Sequence, residues 1–400
     1  MGVIVQKFGG TSVSTKETRD CVVKKIIKSK KENNGVVVVV SAIGRAGDPY
    51  ATDTLIQFLQ KSSQGAAPRE MDILLSCGEL ISAVVLASML QEQGYEAVAL
   101  TGGQAGIITN DHYQQADIIN TEPAYILSLL EKGIIPVVAG FQGITQTGEI
   151  TTLGRGGSDT SAAIIAAATT ADAIEIYTDV DGIMTADPRM CEEAHVIPKI
   201  SYNEVFQMAD SGAKIIHPRA VEVAMHANIP LIIKNTFSSE EGTLITQNLD
   251  QRSGEETQSL KVITGIAHRL GRVQVQLFEE DTDDANLFSL FAKNNISIDM
   301  INIFPSQKVF TIDQDHKNKI ITILNSYHLR YTLVEDCCKI TVLGERMTGV
   351  PGVMARIITA LKKEKITILQ TSDSLTTIAC LIKSDNTSKA ITALHNEFNL

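Results

Sequence analysis

The run Leu153-Gly154-Arg155-Gly156-Gly157-Ser158-Asp159-Thr160 leads directly into Ser161-Ala162-Ala163-Ile164-Ile165-Ala166-Ala167-Ala168. Glycines let the backbone approach a ligand closely and take turns that side chains forbid. Arg155 offers a planar fork matched to a carboxylate or a phosphate. Ser158 or Asp159 is placed to cap an alanine-rich helix whose free amides and dipole favour an anion. The loop is read as a collector of negative charge. A second glycine turn, Lys7-Phe8-Gly9-Gly10-Thr11-Ser12, ends a strand-like run. Its amides could form an anion nest, with Lys7 as a mobile cation at the rim. Neither turn belongs to a common phosphate-binding class. No GxxxxGK followed by Ser or Thr occurs, and Asp159 stands where the dinucleotide fingerprint wants its third glycine.

These turns need a scaffold, and residues 1–245 supply an α/β pattern with a mainly parallel sheet. Strands are predicted at 3–8, 36–41, 97–100, 135–140, 173–178 and 230–234, with helices between them at 15–30, 71–92, 123–131, 159–169, 202–209 and 218–227. A polar stretch over 246–259 reads as a linker. Beyond it a pattern nearly repeats. The first copy, 268–335, has strands at 273–278, 296–303, 308–312 and 331–335 and helices at 284–294 and 316–326. The second has strands at 339–343, 367–371 and 377–382 and helices at 352–364 and 387–398. That is βαββαβ followed by βαββα, so the second ferredoxin-like module lacks a strand. The unassigned strand 261–267 is expected to complete it. The second module is therefore 260–267 plus 336–400, with the first inserted within it.

Composition excludes several classes. A chain of 400 residues needs more than one core. The net charge of −11 and the absence of a basic stripe exclude a nucleic-acid surface. The longest apolar runs fall far short of about 20 residues, so no membrane span is expected. No signal peptide is expected before the first strand. Six cysteines without CxxC spacing fit reduced thiols, and the expected location is cytoplasmic. Eight histidines show no HExxH, and no protein metal site is expected.

Seven motifs then occur in a fixed order: Lys7–Ser12, Val40-Ser41-Ala42-Ile43-Gly44, Ser76-Cys77-Gly78-Glu79, the Gly154–Asp159 loop, Tyr177-Thr178-Asp179-Val180-Asp181-Gly182, Thr185-Ala186-Asp187-Pro188-Arg189 and Gly212-Ala213-Lys214. In this order they resemble the amino acid kinase family, and within it the aspartate kinases. The tandem modules resemble the paired regulatory ACT domains of the monofunctional enzymes. The run Gly47-Asp48-Pro49-Tyr50-Ala51-Thr52-Asp53 is most similar to the Bacillus-type enzyme sensitive to diaminopimelate.

The resemblance implies ATP-dependent phosphorylation of the β-carboxylate of L-aspartate, giving 4-phospho-L-aspartate for the lysine, threonine, methionine and diaminopimelate branch. That nucleophile is already ionised at pH 7, so the lack of a motif histidine is consistent. Lys7 and Asp159 would be catalytic. Thr52, Glu79, Arg155, Gly156, Gly157 and Ser158 would hold the substrate, Glu79 taking its ammonium and Arg155 its α-carboxylate. ATP would be held by Lys7, Phe8, Gly9, Gly10, Ser41, Thr178, Asp179, Met184, Thr185, Ala186, Asp187, Pro188, Arg189 and Lys214, with Mg²⁺ carried by the nucleotide. Gly9 and Gly10 would supply backbone donors. An effector (diaminopimelate, lysine or threonine) would meet Asp281, Asp299, Asn302, Ser372 and Asp373. The acidic loop at 279–284 favours a diamine, and Ile303 departs from a position where glutamine is frequent. The chain is expected to form at least a homodimer through its ACT modules.

Plainer roles compete at several positions. Glu79 could be a solvated carboxylate at a helix start, Arg155 a surface arginine, Asp187-Pro188 a turn, Lys214 a solvated lysine, and Ser41 a strand terminus. Two other functions stand beside the first: a kinase of the same fold acting on glutamate, acetylglutamate or a nucleotide, and a non-catalytic amino-acid sensor.

Overall fold

The computed structural model describes residues 2–32, 35–63, 65–212, 216–247, 262–278, 284–344, 347 and 350–400. They divide into two compact units. The first comprises Met1–Ile183, Val196–Phe206 and Lys214–Gly254, and the second Met184–His195, Gln207–Ala213 and Glu255–Leu400. The stretch expected as one catalytic body over 1–245 is thus interrupted. Ala186 and Cys191 are 3% and 2% exposed, in one apolar cluster with Ile263, Ile266 and Ile357. The amide of Ile266 donates to the Thr185 carbonyl at 2.7 Å. Burial and pairing hold this segment in the second unit. Most of the expected linker, from 248 onward, lies outside the described residues.

The first unit is built on an eight-stranded sheet in the order Lys199–Ile200, Thr243–Ile245, Leu231–Asn235, Ala173–Thr178, Val3–Phe8, Gly35–Val40, Ile135–Ala139, Ala97–Leu100. Every pairing is parallel except that of Leu231–Asn235 with Thr243–Ile245. Five valines in succession make Gly35–Val40 a strand buried along its whole length, as a sheet covered on both faces requires. Val3–Phe8 lies between Gly35–Val40 and Ala173–Thr178. The chain order reverses there, and in open α/β sheets ligands bind beyond the carboxyl ends of strands at such a switch point. Lys7 and the Gly9-Gly10 turn stand at that end.

The Pro68–Glu92 helix starts three residues before its predicted start, with proline at a first-turn position where the missing N–H costs nothing. By length and mean hydropathy alone it could cross a membrane, which the apolar runs in the sequence did not indicate. Half of its most apolar window is buried within the protein, and its buried residues include Asp72, Ser76, Glu79 and Ser82. These features mark a core helix. The Thr52–Ser62 helix and a second sheet of Ile118–Thr121, Ile107–Thr109, Gln142–Thr145 and Ile150–Thr152 were not expected. Strands of three or four residues carry too little alternation to be read.

The second unit holds a six-stranded antiparallel sheet, in the order Asp299–Phe304, Gln307–Asp313, Gly265–Leu277, Tyr331–Leu343, Thr377–Lys383, Gln370–Asp373. Two expectations change here. The strands predicted at 261–267 and 273–278 are one strand, Gly265–Leu277, and those at 331–335 and 339–343 are one strand, Tyr331–Leu343. Their register shifts near Arg269 to Gln274, where Gly271 takes φ +69°. Gly265 to Arg269 pair with Lys339 to Leu343, whereas Gln274 to Leu277 pair with Tyr331 to Val334. Two cores follow. One gathers Val273, Val275, Phe291, Phe310 and Leu324; the other gathers Ile266, Ile340, Ile357, Leu361 and Leu394.

Candidate active site

In the first unit, a cavity of about 680 Å³ lies beyond the end of Val3–Phe8. Lys7, Gly10, Ser41, Thr52, Glu79, Arg155, Gly156, Gly157, Ser158 and Asp159 all line it, although they come from five separate stretches of sequence. Lys7 Nζ and Asp159 Oδ1 are 2.6 Å apart, and both side chains are largely shielded from water. Asp159 sits in the first turn of the Gly157–Ala168 helix, where the helix dipole favours a carboxylate. The pair fixes Lys7 toward the cavity instead of leaving it as a free surface charge.

Backbone shape explains the glycines. Gly156 caps that helix at φ +69°, and a Cβ there would fall 2.1 Å from the His217 ring. A Cβ on Gly10 would fall 2.6 Å from the Gly44 carbonyl oxygen. The Gly44 amide donates to the Gly10 carbonyl at 3.1 Å, so the two loops are joined at the cavity wall.

Glu79 is not a solvated carboxylate. It is 3% exposed, one oxygen accepts the Ala42 amide at 3.1 Å, and the other has no partner among the described residues. Burial pushes its carboxyl up to about 8, against the opposing pull of that amide. A buried carboxylate oxygen without a donor is costly, and a ligand cation would satisfy it. Arg155 is exposed and, among the described residues, no carboxylate pairs with it.

Several candidates take other places. The Phe8 ring is fully buried and stacks on Tyr177 at 4.7 Å, so it packs the sheet end and does not line the cavity. The Gly9 amide already donates to the Tyr177 carbonyl at 3.3 Å, so it is not the spare donor the turn implied. Asp179 pairs with Arg45 at 2.6 Å, and Thr178 donates to Asp179 at 3.2 Å; neither lines the cavity. Met184 to Arg189 belong to the second unit. There Thr185 and Ala186 are buried, and the Thr185 hydroxyl lies 2.9 Å from His395 Nε2, so these two side chains serve packing. Pro188 and Arg189 are exposed, and Arg189 holds Asp187 at 2.6 Å, keeping its carboxyl below the usual range. Lys214 lies outside the described residues.

Of the effector candidates, Asp281 and the loop at 279–283 lie outside the described residues. Burial raises the Asp299 carboxyl, but the hydrogen bond and charge of Lys339, with Arg272, outweigh it and leave it lowered. Lys339 stands at 2.8 Å and Arg272 at 3.5 Å, so the Asp299 charge is matched within the protein. The Asn302 side-chain oxygen accepts from the Gln370 side-chain Nε2 at 2.7 Å. Ser372 and Asp373 lie on the same strand as Gln370, at the opposite edge of the sheet order from Asp299 and Asn302.

Sequence reasoning missed Asp53, Gln114, Gln115, Phe141 and Thr152 in the lining. Phe141 and Gln114 adopt φ +69°, which nothing in their local sequence announces.

Residues 2–235 match the amino acid kinase family, and residues 332–396 match the ACT domain. The chain is 43% identical over 411 residues to aspartokinase 1 of Bacillus subtilis, covering 100% of both. It is 39% identical over 411 residues to the aspartokinase of Geobacillus stearothermophilus, covering 100% of this chain and 98% of that one. The structure of E. coli aspartokinase III in complex with aspartate and ADP matches with a TM-score of 0.76 at 23% identity over 100% of both chains, a likeness of fold. With relatives this similar along their whole length, the chain belongs to the aspartokinase family.

Proposed function

We propose that the chain transfers the γ-phosphoryl group of ATP to the β-carboxylate of L-aspartate, releasing ADP and 4-phospho-L-aspartate. The observation that carries this reading is the single cavity holding the Lys7–Asp159 pair, Arg155, and the unpartnered oxygen of Glu79. Phosphoryl transfer depends on positioning and charge neutralisation more than on covalent help from the protein. Lys7 supplies positive charge toward the phosphates, and Asp159 holds it there. Arg155 suits the substrate α-carboxylate bidentately. Glu79 suits its ammonium, which would draw the carboxyl back to its ionised form. Thr52 and Ser158, which line the cavity, would hydrogen-bond the substrate. Asp187, Pro188, Arg189 and Lys214 are retained as nucleotide contacts from the family pattern. Asp159, the lining carboxylate nearest the phosphate role, is already engaged by Lys7, so a Mg²⁺ ion fits best as one carried by the phosphate oxygens of ATP.

Acetylglutamate and nucleotides have no ammonium for Glu79, which disfavours them as substrates. A coupled ADP-release assay with ATP, Mg²⁺ and aspartate, then glutamate, tests the reading. Turnover with glutamate but not aspartate, or with neither, would overturn it.

In the same reading, residues 268–335 form one ACT module, and 260–267 with 336–400 form the other; the two larger cores support this division. An amino-acid effector acts on these modules. Because Lys339 and Arg272 already engage Asp299, an effector ammonium there would have to compete with them. The edge strand Asp299–Phe304 exposes Ile303 and Phe304 at 58% and 52%, and we read it as the surface through which copies associate. We read it as a cytoplasmic biosynthetic enzyme.

A further inference from the structure

The geometry points to Asp72 as the positioning residue that sets the substrate side of the cavity, an inference that rests on the aspartate-kinase reading above. Asp72 is fully buried on the Pro68–Glu92 helix, seven residues before Glu79 and so on nearly the same helix face. The two carboxylates differ in what they have left to offer. One Asp72 oxygen accepts the Gln114 amide at 3.1 Å and the Thr152 hydroxyl at 2.8 Å. The other accepts the Gln114 amide at 3.0 Å and the Thr152 amide at 2.8 Å. Three protein donors, with the Gln114 N–H shared between both oxygens, thus make four contacts, so Asp72 acts on the chain and not on a ligand. Charge-assisted bonds of this kind are roughly twice as strong as neutral ones.

What Asp72 holds is one wall of the cavity. Gln114 and Thr152 both line it. Gln114 sits at φ +69°, a region that residues with a Cβ avoid and keep only when their surroundings demand it. The Ala116 amide donates to the Thr152 carbonyl at 2.9 Å, joining the Gln114 turn to the end of the Ile150–Thr152 strand. Gly154, at φ +74°, packs so close that a Cβ there would fall 3.2 Å from the Gln114 carbonyl oxygen. Arg155 follows at once, and no carboxylate among the described residues pairs with its side chain. Its position relative to Glu79 therefore depends on the backbone that Asp72 ties down. The spacing between those two groups decides how well a four-carbon amino acid is told from one with an extra methylene.

Asp72→Asn tests this, because it keeps the shape while turning one acceptor oxygen into a donor facing N–H groups. The expected result is a rise in KM for aspartate of about tenfold or more, the scale of losing a hydrogen bond to a charged group. KM for ATP and kcat should stay within about twofold, and the preference for aspartate over glutamate should narrow. Thr152→Val removes one of the four bonds and should shift KM for aspartate in the same direction by less. In the ligand-free proteins, hydrogen exchange at the Gln114 and Thr152 amides should speed up in Asp72→Asn. Unchanged exchange at those amides would overturn the inference whatever the substrate proves to be. So would an unchanged KM for aspartate, or a joint loss of kcat, ATP affinity and thermal stability, which would mark Asp72 as general scaffold. If the unsubstituted protein does not phosphorylate aspartate, the functional reading fails, and the exchange measurement still decides whether Asp72 holds the wall.

Discussion

Replacing Glu79 by glutamine should make the ligand-free protein more stable at high pH while removing aspartate binding. The Glu79 carboxyl is raised from 4.5 to about 8 by burial, so the native state holds a proton that the unfolded chain releases between those values. Stability must therefore fall as pH rises through that window and level off above about pH 8. A shift of 3.5 units (8 minus 4.5) at ~1.4 kcal/mol per unit sets an upper limit of about 5 kcal/mol. Glutamine can keep the bond from the Ala42 amide and titrates nowhere, so its stability curve should lack this decline. Urea unfolding of both proteins at acidic, neutral and mildly alkaline pH measures the difference directly. The catalytic counterpart has the opposite sense. Only the carboxylate can receive the substrate ammonium, so KM for aspartate in the unsubstituted protein should fall roughly twentyfold from about pH 6.5 to about pH 8.5. Parallel stability curves for the two proteins, or a KM that ignores pH, would mean that Glu79 is ionised well below neutrality and that the argument from its burial is wrong.

Lys7→Ala and Asp159→Ala should lower kcat far more than they raise either KM, because the pair acts on charge that develops during transfer; near-normal kcat in Lys7→Ala would remove the phosphate role of the first glycine turn. Gly156→Ala should cost about 1–3 kcal/mol of stability and most of the activity, since it adds left-handed strain to a Cβ 2.1 Å from His217; thermal unfolding and kcat/KM measure both. Ile303→Glu on the exposed edge strand should weaken self-association while leaving the kinase cavity intact, which light scattering and aspartate kinetics distinguish. An unchanged association state would place the interface elsewhere.

The Gly154–Asp159 loop was legible because its chemistry is local: glycines, an arginine and a helix start need only neighbours in the chain. Lys7 at a strand end was legible for the same reason. The packing of Phe8 and Gly9 was not legible because it depends on Tyr177, which approaches only when Val3–Phe8 and Ala173–Thr178 become neighbours. Thr185 and Ala186 matched a nucleotide motif, yet their surroundings come from His395 and the second unit's core, some two hundred residues away.

The amino-acid sequence on its own determined the element types, the parallel α/β half followed by a tandem repeat, and the identity of the charged groups at the glycine turns. Those follow from periodicity, turn chemistry and capping, which act over a few residues. Only the tertiary structure decided which charges meet. It paired Lys7 with Asp159, left one Glu79 oxygen buried without a donor, and gave all four Asp72 bonds to the protein. It also fused the predicted short strands into Gly265–Leu277 and Tyr331–Leu343. Burial, long-range pairing and the shift in a carboxyl's proton affinity depend on what the distant chain brings alongside, and no local pattern carries that information.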